Sequence, residues 1–493
     1  MSIEEKKVNK PTQYVVCLAA PILRTNRRTM VDIWFSSLEL VVVEVVLAHH
    51  TANSGTALRS GEMADYVHRK PVVEIGLSKA ALVAIGLWAP SRPSRLYWVY
   101  TRWSLLQLVV NIVGQVAGLQ GHWDNLPVVS TSLCFVLTIT CTFIKAVIFV
   151  IQRPRVDALM AHLERNLAMF CSFMPRVKDA ILRSCRLRVL FMFTSFMGIG
   201  GITLLSFYTG PIVQNFKDAK LLADEASNVT MRPHMGRNLP MLMWWYNGQP
   251  EQTPYYQLTY VLMCYWLMLI YLACDVQDAF YVTLIIYLSA QLTMLNAALT
   301  NALHPGDGED AHTSSERRQL PSRGWRGDTE SVVPTKRSGR DRLVECIRFH
   351  QEIIKSAAEM ESILSASVLM QFMTSTLVIC FTAFTVITAE RAYLHTYITY
   401  LATMFYQLFL YCWYGGELLL ESEKLQLSAY SCAWPDADPS LKRSLRIMMA
   451  RLQIPVKLTA CKLYGLTRET FLLLMNGSYS YFTLLHRMNQ APA

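Results

Sequence analysis

Charged residues are scarce in this chain. Asp, Glu, Lys and Arg together make up 17% of its 493 residues, whereas 52% of the residues are apolar and the mean hydropathy is +0.25. A soluble globular chain carries roughly a quarter charged residues, so the deficit indicates a membrane protein. The net charge of +10 is spread over short runs between apolar segments rather than along one stripe, which argues against a nucleic-acid partner.

Motifs of common enzymes and metal sites are also missing. No CxxC pair occurs among the 12 cysteines, so neither a disulfide framework nor a zinc site is indicated. The chain has no Walker A loop, no HExxH, no GxSxG and no convincing His/Asp/Ser constellation. We therefore expect no enzyme, no cofactor and no metal site.

What the chain has instead is a series of apolar segments long enough to cross a bilayer. They predict an all-α protein with seven membrane-spanning helices: Trp98–Leu119, Val128–Ile151, Val189–Tyr208, Tyr256–Ala273, Ser367–Ala389, Thr396–Tyr414 and Phe471–Met488. Helical or apolar patterns continue beyond spans two to six. We therefore expect these helices to extend into the cytoplasm.

Details of three segments can also be predicted. Gly198, Gly200 and Gly201 in the third span are expected to permit close helix approach. The sixth helix is expected to continue through Gly416–Lys424. A further helix is predicted to begin with Asp438 as N-cap and Pro439 at its first position. Its apolar face would be formed by Leu441, Leu445, Met448 and Leu452, and Pro455 would bend it before the final span.

Two regions outside the spans lack a pattern that predicts packing. Residues 1–70 contain the apolar stretch Val31–Ala48, but Glu39 and Glu44 interrupt it, so we expect a poorly ordered cytoplasmic extension. Residues 305–342 are rich in Gly, Ser, Pro and charge, which predicts a disordered cytoplasmic insertion. The two remaining domains are 72–304, with helices one to four, and 343–488, with helices five to seven.

The distribution of Lys and Arg predicts the orientation in the membrane. Basic residues concentrate between spans two and three (Arg153, Arg155, Arg165, Arg176, Lys178, Arg183, Arg186 and Arg188) and between spans six and seven (Lys424, Lys442, Arg443, Arg446, Arg451, Lys457 and Lys462). The alternate loops hold few such residues. The N-terminus is therefore expected in the cytoplasm and the C-terminus outside. The sequon at Asn228 would then face the lumen, where it could be glycosylated.

Several short motifs, in the right order, resemble the C-terminal third of insect odorant receptors. They include Glu417–Ser422, Leu458–Ala460 and Ser478–Leu485. Gly86–Pro90 is similar to the start of that family's core, and Cys346–Gln351 to its approach to the fifth helix. The resemblance covers about Val72 to Met488.

The resemblance implies the odorant-binding subunit of a ligand-gated, non-selective cation channel. Such a subunit would detect volatile odorants, be surrounded by membrane lipids, and form a hetero-tetramer with the olfactory co-receptor in the plasma membrane of olfactory sensory neurons. The cytoplasmic helix extensions would form an anchor domain. The last helices would surround the pore, with Leu484 and Met488 as its hydrophobic gate and Ser480, Tyr481 and Arg487 beside them. The co-receptor often has Gln at the position of Arg487. A positively charged side chain is unusual in a path for cations, and this difference favours a tuning subunit over the co-receptor.

The family places its odorant pocket among helices two, three, four and six. Aromatic and Met side chains suit apolar volatile ligands because burial and dispersion supply the binding. The candidates on these helices are Phe135, Phe143, Phe193, Met197, Met263, Trp266, Tyr397 and Tyr400. For any single one of these residues, however, ordinary core packing is the commoner role.

Three other classes of protein remain to be weighed. A gustatory receptor would need Gln at Arg487 and Phe at Met488. A seven-helix G-protein-coupled receptor is disfavoured because its N-terminus lies outside the cell. A transporter should show internal repeats and paired broken helices, and the sequence has neither.

Overall fold

The computed structural model of the protein describes residues 73–88, 95–120, 122–170, 174–225, 238–244, 255–302, 339–389, 393–435 and 437–490. These residues form helices α1 (Val73–Ala84), α2 (Arg95–Leu119), α3 (Leu126–Met169), α4 (Pro175–Glu225), α5 (Tyr255–Thr300), α6 (Gly339–Thr388), α7 (Leu394–Tyr430), α8 (Pro439–Leu452) and α9 (Arg468–Gln490), and strands β1 (Thr459–Ala460) and β2 (Tyr464–Gly465). The predicted extension at residues 1–70 and the sequon at Asn228 lie outside the described residues.

Among the residues that the structure describes, four helices are long and apolar enough to cross a membrane. They are α3, α4, α5 and α6, which have 44, 51, 46 and 50 residues. A bilayer needs about 20 residues of helix, so each of these helices has more than twice the required length. The prediction that the helices of spans two and three run past these spans is confirmed, because α3 continues to Met169 and α4 begins at Pro175. The remaining predicted spans coincide with α2, α7 and α9.

The second half of α5 forms the central column of the core. Every residue from Ala273 to Leu292 is buried, because α3, α4, α6 and α7 all pack around this helix and α1 covers it further. A helix that is apolar on all sides is buried on all sides. The largely apolar tract that the sequence shows after Ala273 therefore reflects a helix in the middle of the protein, and its few polar residues, such as Asp278, are buried with it.

The start of α2 is hydrogen-bonded to the turn after α1. Gly86 adopts a left-handed conformation, with φ of +84°, and this brings the Trp88 ring against Phe149 and Phe280 at centroid distances of 5.6 and 5.2 Å. Tyr97 Oη donates to the Trp88 carbonyl at 2.7 Å, and Thr101 Oγ1 donates to the Gly86 carbonyl at 2.6 Å. The turn thereby joins α2 to α3 and α5.

The segment before α9 differs in part from the prediction. Asp438 is the N-cap of α8 and Pro439 follows it, and Leu441, Leu445, Met448 and Leu452 are buried, as predicted. However, α8 ends at Leu452, so Pro455 lies in an extended segment and does not bend a helix. The chain then forms a short antiparallel hairpin in which Thr459 pairs with Gly465. The sequence analysis missed these strands, which are only two residues long.

Two other boundaries are informative. The helix α7 continues past Lys424 to Tyr430, which confirms the predicted extension of the sixth span. The helix α6 begins at Gly339, so residues 339–342 are helical and the predicted disordered insertion is too long by these four residues. The rest of that insertion lies outside the described residues.

Candidate functional site

A small cavity lies between α3, α4, α6 and α7. Its lining residues are Thr131, Cys134 and Phe135 of α3, Phe207 of α4, Thr382 and Thr385 of α6, and Tyr397 and Tyr400 of α7. Aromatic rings form most of one wall, and hydroxyl groups and one thiol form the rest. Such a surface suits a small apolar molecule that carries one polar group.

Three aromatic rings in this cavity contact one another. Phe135 lies edge-on to Phe207 with centroids 5.2 Å apart, and Tyr400 contacts both rings at 6.2 and 5.7 Å. The Tyr400 hydroxyl is 2.7 Å from Thr138 Oγ1. Phe135, Phe207 and Tyr400 are together called the aromatic cluster below. Stacked and edge-to-face rings stabilise each other by about 0.5–1.5 kcal/mol per pair, so the cluster keeps the cavity closed.

The cavity is too small for an odorant in its present form. Its volume is about 10 Å³, which is about the space that one water molecule requires. Pockets that bind small molecules have volumes of roughly 300–1,000 Å³. A ligand can therefore enter only if rings of the aromatic cluster move apart.

The structure places three of the predicted pocket residues in this cavity: Phe135, Tyr397 and Tyr400. The other five lie elsewhere. Phe143 is two helical turns from Phe135 along α3, and Phe193, Met197, Met263 and Trp266 contact other parts of the core. Trp266 Nε1, for example, donates to Gln107 Oε1 of α2 at 2.8 Å.

Sequence reasoning missed the polar lining of the cavity. Cys134 Sγ and Thr382 Oγ1 are 3.4 Å apart across the gap between α3 and α6. Thr131 and Thr385 are also part of the wall. Threonine inside a span commonly bonds to its own helix, so these residues carried no signal of a shared cavity.

A buried ion pair lies further along α3 than the aromatic cluster. Lys145 of α3 is two turns from Thr138, or about 10 Å along the helix. Its Nζ is 2.5 Å from Asp278 Oδ1 of α5, and both side chains are at most 1% exposed. Lys145 Nζ also donates to Gln371 Oε1 of α6 at 2.8 Å. The ion pair therefore connects three of the helices in the bundle core.

The helix α7 completes this network. Tyr411 Oη donates to Asp278 Oδ1 at 2.8 Å, and Gln407 Nε2 donates to Asp278 Oδ2. Gln371 Nε2 in turn donates to Ser375 Oγ at 2.9 Å. A buried charge is tolerated only when it is paired and hydrogen-bonded, and Asp278 meets both conditions. We call Lys145, Asp278, Gln371, Gln407 and Tyr411 the buried network.

The helix α9 is packed on one side only. Its buried residues are Thr470, Leu474 and Ser478, which recur every four residues and so lie on one face. Packing against α7 includes a contact of Phe471 with Phe409, whose ring centroids are 5.9 Å apart. The guanidinium of Arg468 lies 4.1 Å from the centre of the Trp413 ring.

Three polar residues lie on the opposite face of α9. Asn476, Ser480 and Arg487 are exposed there, at spacings of four and seven residues that keep them on one stripe. Polar groups facing lipid would lack hydrogen-bond partners, so this face is suited to water or to another subunit. The predicted gate residues Leu484 and Met488 lie beside the stripe and are 57% and 62% exposed, and Tyr481 is 55% exposed.

Long apolar helices around the buried second half of α5 define a multi-pass helical membrane protein, and the closed aromatic cavity is its candidate ligand site. The sequence model of the 7tm odorant receptor family matches residues 125–479, and this chain belongs to that family. The family is one of receptors and not of enzymes.

Curated relatives are similar over part of their length. Odorant receptor Or2 of Anopheles gambiae is 27% identical over 257 residues, which is 51% of this chain and 62% of the relative. Odorant receptor 46a, isoform A, of Drosophila melanogaster is 35% identical over 150 residues, or 30% and 39% of the two chains. The chain thus matches less than two thirds of the length of these relatives.

The fold is similar to that of a solved receptor. The insect olfactory receptor OR5 from Machilis hrabei in complex with eugenol aligns with a TM-score of 0.66 and 16% identity, covering 86% of this chain and all of that chain. A second structure of the same receptor aligns with a TM-score of 0.63 and 15% identity, covering 85% of this chain and 99% of that chain. At this level of identity the similarity concerns the fold alone.

Proposed function

We propose that this chain is the odorant-binding subunit of a ligand-gated, non-selective cation channel. It assembles as a hetero-tetramer with the olfactory co-receptor in the plasma membrane of olfactory sensory neurons and detects volatile compounds. Membership of the odorant receptor family supports this proposal. So do the aromatic lining of the cavity and the polar stripe of α9.

One structural observation carries the proposal: α6 and α7 contribute both to the cavity and to the packing of α9. Near one end, Thr382 of α6 and Tyr400 of α7 line the cavity. Further along the same helices, α7 contacts α9 through the Phe409–Phe471 ring pair, and α6 also packs directly on α9. A displacement of α6 or α7 by a ligand therefore acts directly on the helix with the polar stripe.

The proposed topology has seven spans, with α2, α7 and α9 added to the four most apolar helices. The N-terminus lies in the cytoplasm and the C-terminus outside, as the Lys and Arg bias indicates. The aromatic cluster then lies in the outer half of the bundle. The later half of α5, the start of α6, the end of α7 and α8 form the cytoplasmic anchor.

The small volume of the cavity suggests how a ligand opens the channel. A volatile molecule enters only when Tyr400 moves away from Phe135 and Phe207, which breaks the hydrogen bond to Thr138. Contacts between the ligand and the cavity wall compensate for the ring contacts that are lost. Because Tyr400 is on α7, its displacement shifts α7 relative to α3. The ligand thereby favours the conformation in which α9 is displaced.

In the tetramer, four α9 helices surround the pore. Their packed faces remain on α6 and α7, and the stripe with Asn476, Ser480 and Arg487 is turned towards neighbouring subunits and the ion path. Leu484 and Met488 close the path by dewetting at its extracellular end. Arg487 would repel cations at the axis, so the co-receptor subunits determine ion selectivity.

The experiment that tests the proposal is co-expression with the olfactory co-receptor and recording of currents evoked by a panel of volatiles. We expect odour-evoked cation current that requires both subunits. Tyr400→Ala should change the rank order of the active volatiles because it enlarges the cavity. Val344→Ala, at an exposed position on α6 away from the cavity, is the matched control. Absence of current with every volatile, despite surface expression of both subunits, contradicts the proposal.

A further inference from the structure

The first turns of α2 carry a groove that no part of the proposed channel mechanism uses. It is lined by Arg95, Trp98, Val99 and Arg102. These residues follow one another at intervals of three and four, so they lie on one face of the helix. Trp98 and Val99 are 41% and 60% exposed, and both arginines are exposed as well.

The groove faces outward because the opposite side of α2 packs against the turn after α1 and the core. Tyr97 and Thr101 bind the turn after α1, and Ser104 and Leu108 continue the buried face towards the core. Helical geometry places these residues roughly opposite Arg95 and Arg102. Neither arginine can turn inward without breaking the contacts of the turn.

Both arginines lack an acidic partner among the residues that the structure describes. Two other exposed arginines do have such a partner: Arg155 Nε lies 2.8 Å from Glu359 Oε1, and Arg188 binds Glu417. Two permanently charged guanidinium groups therefore share one groove. They lie seven residues apart, about 10 Å along the helix axis. Arginine is the side chain that binds phosphate most directly, through two parallel hydrogen bonds.

An apolar stripe continues from the groove along the same face of α2. Leu106, Val110 and Val113 are 49%, 42% and 61% exposed and follow Arg102 at helical spacing. In a membrane this stripe lies against acyl chains, and tryptophan at the head of the helix is typical of the boundary between headgroups and hydrocarbon. The two arginines match the charged headgroup of an anionic phospholipid, and the apolar stripe that follows them matches its acyl chains.

We propose that Arg95, Trp98, Val99 and Arg102 form a binding site for an anionic phospholipid. The two guanidinium groups bind the headgroup, and the stripe below them binds an acyl chain. A bound lipid holds the start of α2 and, through Tyr97 and Thr101, the turn that packs on α5. The site uses only the crossing of the membrane by α2 from the proposed function, and lipid binding is measured without any current.

The test uses the purified full-length chain in detergent, with bound lipid counted by native mass spectrometry. The probes are phosphatidylserine and, with the same acyl chains, phosphatidylcholine. Arg95→Gln combined with Arg102→Gln should weaken phosphatidylserine binding by about thirtyfold, since each arginine contributes roughly fivefold. Arg443→Gln combined with Arg446→Gln removes two exposed arginines of α8 and should leave this binding unchanged.

Three results overturn the proposal. They are equal binding of phosphatidylcholine and phosphatidylserine, equal loss of binding in the two double variants, and displacement of the lipid by millimolar inorganic phosphate. The last result means that the apolar stripe contributes nothing to recognition. If the Gln variant aggregates, the Arg95→Lys and Arg102→Lys pair replaces it. That pair keeps the charge but loses the paired hydrogen bonds, and it should bind phosphatidylserine more weakly than the unchanged chain does.

Discussion

At the scale of single residues, the Lys145–Asp278 ion pair is the core interaction that we expect to cost the most stability when one partner is removed. Both side chains are buried, and removal of one partner leaves the other charge without compensation. We expect Lys145→Met to lower the free energy of unfolding by about 3–5 kcal/mol. The thermal unfolding midpoint of the detergent-purified protein measures this loss.

Two further variants make this prediction specific. Lys145→Met combined with Asp278→Leu should recover most of the lost stability, because a buried ion pair can often be replaced by apolar residues of similar volume. Arg155→Met removes an exposed ion pair and should cost less than about 1 kcal/mol. A single Lys145→Met variant that is as stable as Arg155→Met would show that Asp278 finds another partner.

His350 provides a pH-dependent contribution to stability. It lies on α6 before the membrane-spanning part, and burial, together with the positive charge of Arg451, lowers the pKa of His350 to about 4. In the unfolded chain the pKa is about 6.5. Between these values the unfolded state binds more protons, so stability decreases as the pH falls from 6.5 to 4. We expect His350 to account for about 2–3 kcal/mol of this decrease.

The contribution of His350 is measured as a difference between variants. Thermal midpoints recorded across this pH range should decline less steeply for His350→Asn than for the unchanged chain. His395→Asn, at an exposed histidine near the start of α7, should leave the slope as it is. Parallel slopes for all three proteins would mean that His350 is protonated equally well in the folded state.

At the scale of single elements, two glycines of α4 differ in their surroundings: Gly200 packs closely against α5, whereas Gly198 has open space beside it. A Cβ atom at Gly200 would lie 2.1 Å from Asp275 Oδ2 and 2.6 Å from Tyr271 Cε2, whereas a Cβ at Gly198 meets no atom within 4 Å. We expect Gly200→Ala to destabilise the protein by about 1–3 kcal/mol. Gly198→Ala should be neutral or stabilising by up to about 1 kcal/mol. Thermal midpoints of the two variants provide the comparison, and equal midpoints contradict it.

The helix α9 is the element on which gating depends in the proposed channel. Leu484→Ala or Met488→Ala removes apolar surface from the proposed constriction, so water enters it more readily. We expect a larger resting current, or activation at lower odorant concentration, when either variant is expressed with the co-receptor. Leu472→Ala changes an exposed leucine at the other end of α9 and should leave both properties unchanged. Unaltered currents in both gate variants would remove these residues from the gate.

At the scale of the whole molecule, the orientation in the membrane distinguishes the channel from a G-protein-coupled receptor. The proposed topology puts the end of α9 outside the cell. An epitope tag after residue 493 should therefore be stained by antibody on unpermeabilised cells, and a tag before residue 1 only after permeabilisation. The reverse pattern would be incompatible with the proposed channel.

Much of this architecture follows from the sequence alone. The apolar tracts predicted the helices, and the Asp438–Pro439 pair predicted the start of α8. The motifs near the C-terminus led to the correct family. These features are local: hydropathy along one helix and the chemistry of a cap depend on residues close together in the chain. The two short strands were missed because hydrogen bonds between two-residue segments leave no periodic pattern.

The sites themselves depend on the tertiary structure. A lysine within an apolar span signals a buried partner, since such a charge is costly alone, but Asp278 lies 133 residues away from Lys145. Similarly, Thr138 meets Tyr400 across 262 residues. Such pairs are determined by how each helix is rotated and shifted against its neighbours. The sequence by itself determined which segments are helices and to which family the chain belongs, and only tertiary packing decided which side chains meet.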